Sequence, residues 1–537
     1  MRKQTASWIS IGLLVLAMVA SPAVGAVETP KTVPQWSRFE LALTNPKRHA
    51  DPYREVALDV TYTRPDGSEI QFWGFYDGGD VWRARFMPDA LGRWRYAAKF
   101  SDGSTGAAGE FECVASDLPG QIAVHADNPQ WFGWRGGDAA LIRAFHVGDR
   151  FFAWNWDDPN DSRDGNKRTA FLDWMQQQGY NTLSVASHYL NRDVKGRGKG
   201  WDTPKLWPLD APEYRRMEQI LDELAARRIV VYPFAGFLGR ASNYPRDAAE
   251  QTLYYRYTIA RLGASWNLLF NVAGPEPMLR HDPFLTADEI NAAGAEIARL
   301  DPFHHPLSVH NPNDDLFKDS AWSTYGTLQG PKTFDRRKLR DGLLRNHHPQ
   351  KPLLAQETLW SRNSIHMKAN NGLDYSDDDL RKNAYVIHFC AAALVFADND
   401  GDSSTGFSGS MDLADRQQGR HNIVKLVWDT VAGLPWQSTR PSPELITNTR
   451  GGAAFCLADP GRIYLVYFES AGAIDLELAE GAYRVEWINA SNPQDRRLGG
   501  VIRDGGNLAT PKGGDDWILQ LTTENSETAA LGITRKQ

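Results

Sequence analysis

From about residue 140 to 440 the chain alternates apolar, strand-like runs with stretches of helical period, and it does so eight times. The runs are Phe151–Trp156, Asn181–Val185, Ile229–Phe234, Asn267–Val272, Pro306–His310, Ala321–Tyr325, Pro352–Ala355 and Leu394–Ala397. Helices are expected at Arg168–Gly179, Pro212–Arg228, Ala248–Leu262, Thr286–Leu300, Arg336–Asn346, Asp377–Ala393 and Ile423–Ala432. A strand that returns through a helix pairs in parallel with the next strand. Eight such units over about 300 residues fit a (β/α)8 barrel better than an open doubly wound sheet. No Gly-rich dinucleotide or phosphate loop follows the first strand, which disfavours the open sheet further.

The flanks have a different rhythm. Between 27 and 135, Val56, Leu58, Val60 and Tyr62 alternate along Glu55–Thr63, and turns at Pro65-Asp66-Gly67 and Asp77-Gly78-Gly79-Asp80 separate further short runs. Beyond 441, Gly452–Leu457, Arg462–Phe468, Ala473–Leu478, Tyr483–Ile488 and Trp517–Leu521 repeat the pattern. Period-two runs divided by turn residues predict antiparallel sandwiches. The expected architecture is multidomain: a barrel at 136–440 between β-sandwiches at 27–135 and 441–537.

Residues 1–26 read as an export signal: Arg2 and Lys3, an apolar run from Trp8 to Ala20, then small residues from Ser21 to Ala26. That run is shorter than a membrane span. The expected location is therefore the periplasm or the outside of the cell. A net charge of −7 with no basic block disfavours nucleic acid as a partner. Three cysteines, Cys113, Cys390 and Cys456, are too few and too scattered for a disulfide framework or a thiolate metal cage. The 19 Trp, 18 Tyr and 23 Phe suit a carbohydrate cleft, because these rings stack on sugar faces; sandwich cores also use them. No cofactor is implied.

Barrel enzymes carry their chemistry at the C-terminal ends of the strands. Glu276 follows the fourth strand in Asn271-Val-Ala-Gly-Pro-Glu, and Glu357 follows the seventh in Pro352-Leu-Leu-Ala-Gln-Glu. These strands stand on opposite sides of a barrel, so the two carboxylates can face each other across its mouth, as glycoside cleavage needs. Trp154, Asn155, Trp156, His188, His310, Trp322, Tyr325, Trp360 and Asp398 lie at or near other strand ends and are candidate sugar contacts. Asp398-Asn-Asp-Gly-Asp402 has the start of a calcium loop, but the position of its closing glutamate is Gly409, so no metal is assigned.

The central segment resembles the apiosidase-like (β/α)8 glycoside hydrolases in Arg150–Trp156, Asn271–Gly274, Asp301–His310 and Pro352–Glu357. The N-terminal segment resembles the domain of unknown function that often precedes such barrels, through Gly74–Gly78, Trp82–Pro88 and Gly92–Tyr96. The C-terminal segment resembles a collagen-binding-type module through Phe455–Arg462 and Tyr464–Tyr467. The resemblance implies an acid/base at the end of the fourth strand and a nucleophile at the end of the seventh. Glu357 matches the second. At the first, the chain departs from the resembled pattern by placing Pro275 before Glu276.

The expected function is an exported glycoside hydrolase acting on a poly- or oligosaccharide by retaining double displacement. The rival is a non-catalytic glycan-binding protein that keeps the barrel as a scaffold. An esterase is disfavoured by the lack of a Gly-x-Ser-x-Gly elbow.

Overall fold

The computed structural model describes residues 30–147, 165–185, 206–233, 238, 244–274, 277–278, 285–311, 314–361, 373–398 and 418–523. Its N-terminal part is two facing sheets. Five strands run in the order Thr32–Pro34, Ala107–Val114, Gly92–Phe100, Leu58–Thr63 and Glu69–Trp73; three more run Phe39–Thr44, Val81–Phe86 and Phe75–Gly78. The expected alternation is observed, with Leu58, Val60 and Tyr62 buried between the sheets. Phe39 stacks on Phe111 and Tyr62 on Phe86, both with ring centroids 4.3 Å apart. The C-terminal part repeats this plan with sheets of six and three strands around Trp517 and Tyr483.

The central strands are β1 (Arg143–Val147), β2 (Thr182–Val185), β3 (Val230–Tyr232), β4 (Phe270–Asn271), β5 (Leu307–Ser308), β6 (Gly326–Leu328), β7 (Leu353–Ser361) and β8 (Ala392–Asp398). Between them run α1 (Gly165–Gln177), α2 (Ala211–Ala226), α3 (Ala248–Leu262), α4 (Ala287–Leu300), α5 (Arg336–Arg345) and α6 (Asp377–Phe389), with α7 (Gln418–Ala432) last. Six strands form one parallel sheet in the order β3-β2-β1-β8-β7-β6, and β4 and β5 form a separate parallel pair. Isolated parallel bridges, Val231 to Leu268 and Asn311 to Leu328, lie between the sheet and the pair. Helix starts follow their caps. Thr286 and Glu289 form a capping box at α4, and Ser376 and Asp379 form another at α6.

Three expectations about strands differ from the structure. The strand beside β2 and β8 is Arg143–Val147 and not Phe151–Trp156, which lies outside the described residues. The sixth strand begins at Gly326, where the Ala321–Tyr325 expectation ends. The expected seventh strand, Pro352–Ala355, continues to Ser361, so Glu357 sits inside β7.

The base of the strands is plugged. A hairpin of Ile122–Val124 and Phe132–Trp134 donates Ile122 N–H to the Trp266 carbonyl (2.8 Å) and inserts Phe132 among Val230, Leu269, Tyr325, Leu354 and Val395. Under this plug lies His388 on α6, wholly buried. Burial, with the charge of Arg143, holds its imidazole at about 3; burial, with the charge of His348, holds His347 at about 4. Both folded values are below the ordinary 6.5, so the unfolded chain takes up protons that the folded chain refuses. This stabilisation is complete above pH 6.5 and drains as pH falls toward 4 and then 3. Each ring costs about 1.4 kcal/mol per pH unit in its window. The melting temperature is expected to fall steeply between pH 6.5 and 4.5, and His388→Leu should flatten part of that fall in a thermal-melt series. Equal slopes would remove His388 from the explanation.

Candidate active site

β7 is fully buried along its length, yet its composition changes midway. Leu353-Leu354-Ala355 pairs regularly with Ala392-Ala393-Leu394 of β8. Pairing then breaks and resumes at Leu359 opposite Phe396, so Gln356, Glu357 and Thr358 stand against Val395 alone. Such a bulge re-aims side chains, and bulges cluster next to functional sites. Here it presents two polar groups at the C-terminal side of the apolar plug.

The inner surface is polar from this level on. His146 of β1, Ser184 of β2 and Gln356 form a closed triangle. His146 Nδ1 lies 3.0 Å from Ser184 Oγ, and Gln356 Nε2 lies 2.8 Å from His146 Nδ1 and 2.7 Å from Ser184 Oγ. Tyr232 Oη lies 3.3 Å from Thr327 Oγ1 across the interior. The His310 amide N–H donates to Asn271 Oδ1 (3.0 Å), which ties the ends of β4 and β5 together.

Glu357 is 1% exposed, and its Oε2 accepts from Lys332 Nζ at 3.3 Å. Lys332 follows β6, and its ammonium lies 5.3 Å from the centroid of the Trp360 ring. Two neighbours register these charges. Burial pushes the Tyr232 phenol well above its ordinary value, and the Glu357 charge adds to the push. Burial also holds His310 well below the usual imidazole range, helped by the charges of His146 and Lys332. The site therefore sets one carboxylate beside one ammonium within a layer of hydrogen-bonding groups.

Of the residues expected from sequence, Glu357 and His310 come together here. Trp360 is wholly buried, with its ring 5.7 Å from His146, so it walls the Lys332–Glu357 pair and offers no free stacking face. Two expectations are corrected. Trp322 lies under α4, where its Nε1 donates to Asn291 Oδ1 (2.9 Å) and its ring fills the space a side chain at Gly294 would need. Tyr325 belongs to the apolar plug and donates its hydroxyl to the Phe270 carbonyl (2.9 Å), on the far side of the polar layer. Both face the interior and not the mouth. Asp398 ends β8, opposite Ser361. Trp154, Asn155, Trp156, His188 and Glu276 lie outside the described residues. The chain leaves β4 toward Glu276 through Ala273, which holds a left-handed φ of 51°. That conformation costs a non-glycine residue about 1–2 kcal/mol and marks strain beside the site.

Sequence reading missed His146, Ser184, Tyr232, Lys332 and Gln356. The available signal was polar residues inside otherwise apolar β-runs, with Gln356 immediately before Glu357. Among the described residues, no group of three His, Cys, Asp or Glu is arranged to hold a metal.

Residues 32–101 match the family model described as a domain of unknown function (DUF5060). No curated protein matches the chain. A candidate glycoside hydrolase from Bacteroides vulgatus ATCC 8482 superposes with a TM-score of 0.67 at 14% identity, covering 92% of this chain and all of its own. A glycoside hydrolase family 5 structure from the same organism gives 0.56 at 15% identity, covering 76% of this chain and 95% of its own. A further structure described as a glycoside hydrolase gives 0.55 at 14% identity, over 76% of this chain and 99% of its own. At such identities the likeness is one of fold: the chain shares the multidomain, multi-sheet architecture of these glycoside hydrolases and carries a DUF5060 domain at its N-terminal end.

Proposed function

We propose that the chain is a glycoside hydrolase that cleaves O-glycosidic bonds of a poly- or oligosaccharide with retention of anomeric configuration. The observation that carries this reading is the buried Glu357 carboxylate, aimed by a bulge at the C-terminal side of a parallel sheet and paired with one lysine. The bridges from Val231 to Leu268 and from Asn311 to Leu328 support closure of the eight strands into a barrel with this carboxylate at its mouth.

In this reading Glu357, with the Lys332 ammonium beside it, attacks the anomeric carbon as the leaving oxygen departs. Glu276 gives that oxygen its proton and then takes one from the water that hydrolyses the glycosyl-enzyme. The two carboxyl groups would stand about 5–5.5 Å apart. Supporting features are the neutral donors around Glu357 and the fold of the similar structures. The discriminating experiment presents plant, algal and bacterial polysaccharides to the purified protein and sizes the products by mass spectrometry. NMR of the first product's anomer then tests retention. Binding without any product would overturn the hydrolase reading in favour of a glycan-binding protein.

Lys332 supplies a pH signature for the same reading. In Lys332→Met the carboxylate keeps its burial and loses this cation, so its charged form is less favoured. Activity that needs the ionised form is then lost at higher pH. The acid limb of the kcat/KM profile should move to higher pH, while the alkaline limb stays in place. An unmoved acid limb would detach Lys332 from Glu357's ionisation.

A further inference from the structure

A cavity of about 480 Å³ opens between the N-terminal sandwich and α3, on the outer side of the central strands. Its volume lies within the range of small-molecule sites, which favour domain interfaces. Tyr53, Trp73, Tyr76 and Trp82 wall it on the sandwich side, and Leu253 and Tyr257 wall it on α3. The polar ends of these rings are tied to protein. Trp73 Nε1 donates to the Arg256 carbonyl (2.9 Å), Tyr257 Oη donates to the Tyr76 carbonyl (2.7 Å), and Tyr53 Oη accepts from the Ala211 N–H (3.1 Å). The rings are therefore held in place before any ligand arrives, and rigid aromatic surface binds at low entropic cost.

The charges around the cavity are unequal. Arg54 is paired, at 2.6 Å with Asp51 and at 3.5 Å with Glu250. Arg256 forms no ion pair among the described residues, although it lines the same cavity, and its guanidinium lies 4.3 Å over the Trp73 ring. That contact holds the guanidinium on the ring face and leaves its N–H groups for an acceptor. Asp59 and Glu296 act on it only from beyond ion-pair distance. A planar fork of this kind matches a carboxylate, and the aromatic wall beside it matches the apolar face of a sugar ring.

We propose that this cavity binds an acidic sugar residue, a hexuronate, with its ring on the aromatic wall and its carboxylate on Arg256. Such a site would hold an acidic glycan on the outside of the strands, apart from Glu357, and it does not depend on the chain being a hydrolase.

The test is calorimetric titration of the full chain with a galacturonate disaccharide, its neutral galactose counterpart and acetate. Glu357→Gln is titrated in parallel to separate this site from the strand-end cleft. Wild type and Glu357→Gln should bind the acidic disaccharide alike. Arg256→Met should weaken binding about tenfold or more, the loss of a charge-assisted pair. Ala57→Trp, which fills the cavity and keeps Arg256, should do the same and decides the matter if Arg256→Met does not fold. The neutral disaccharide and acetate should each bind at least tenfold more weakly than the acidic disaccharide. The proposal is overturned by wild-type affinity in the variants, by equal affinity for the neutral sugar or for acetate, by binding that Glu357→Gln abolishes, or by no binding at millimolar concentrations.

Discussion

Glu357→Gln is expected to abolish turnover, by about 10⁴-fold in kcat, while the protein keeps its melting temperature within a few degrees. The two halves of that statement have separate grounds. An amide cannot serve as nucleophile, and no second carboxylate stands beside it on β7 to substitute. The fold should survive because glutamine is isosteric and its amide oxygen still accepts from Lys332 Nζ, now 3.3 Å from Oε2. The variant does leave Lys332 without its anion. That side chain is 21% exposed, so water can solvate the ammonium at small cost. If the variant folds and retains turnover near the wild-type rate on a substrate found by the polysaccharide screen, Glu357 is not the nucleophile. The same assay on Glu276→Gln reads the other role independently: it should spare substrates with good leaving groups more than those with poor ones, because only the latter need the acid.

Why these residues were legible in part follows from what local pattern can carry. The alternation of Leu58, Val60 and Tyr62 reported a half-buried strand, because a side chain every second residue faces one way. The same logic failed on β1. The middle of Arg143-Ala-Phe-His-Val packs on both faces, with Ala144 and His146 inward and Phe145 on Phe171 and Trp174 of α1; its charged and polar members hid it. Aromatic Phe151–Trp156, with stronger β propensity, drew the assignment. On β7 the polar Gln356-Glu357-Thr358 read as the start of a loop, when those residues are a bulge inside a strand. Trp322 was drawn to the site by sequence order alone. Its true neighbour, Gly294, lies on a helix, and only packing reveals that this glycine leaves room for the indole. Glu357 was found because a strand-end rule needs only approximate boundaries. The His146–Ser184–Gln356 triangle was not, because it joins three separated strands through side chains.

The second large effect is structural and was equally invisible in sequence. Glu218 on α2 is the anion shared by two buried guanidiniums. Arg85 of the sandwich reaches it at 2.8 and 3.3 Å, and Arg261 of α3 at 2.6 and 2.9 Å. Arg261, whose side chain is wholly buried, also holds Asp77 at 2.9 Å, and Asp77 is held in turn by Arg83 and Arg215. Burial pushes the Glu218 carboxyl up, yet the Arg85 and Arg261 charges more than reverse that and leave it below the ordinary 4.5. Its contribution is therefore present above that value and is lost as pH falls through the folded one. Such an ion cluster adds little over an apolar replacement of the whole set, but deleting one member strands the others. Glu218→Ala leaves two buried cations with, among the described residues, Glu40 and Asp77 as their remaining anions, and is expected to cost about 3–5 kcal/mol. By contrast, Glu486→Ala breaks a partly exposed pair with Arg496 and should cost under about 1 kcal/mol. Denaturant unfolding of both variants makes the comparison, and limited proteolysis should show earlier release of the N-terminal sandwich in Glu218→Ala alone. Equal costs would mean that water reaches Arg261 when its partner is removed, and that the contact between the sandwich and the central helices is held by its aromatic packing.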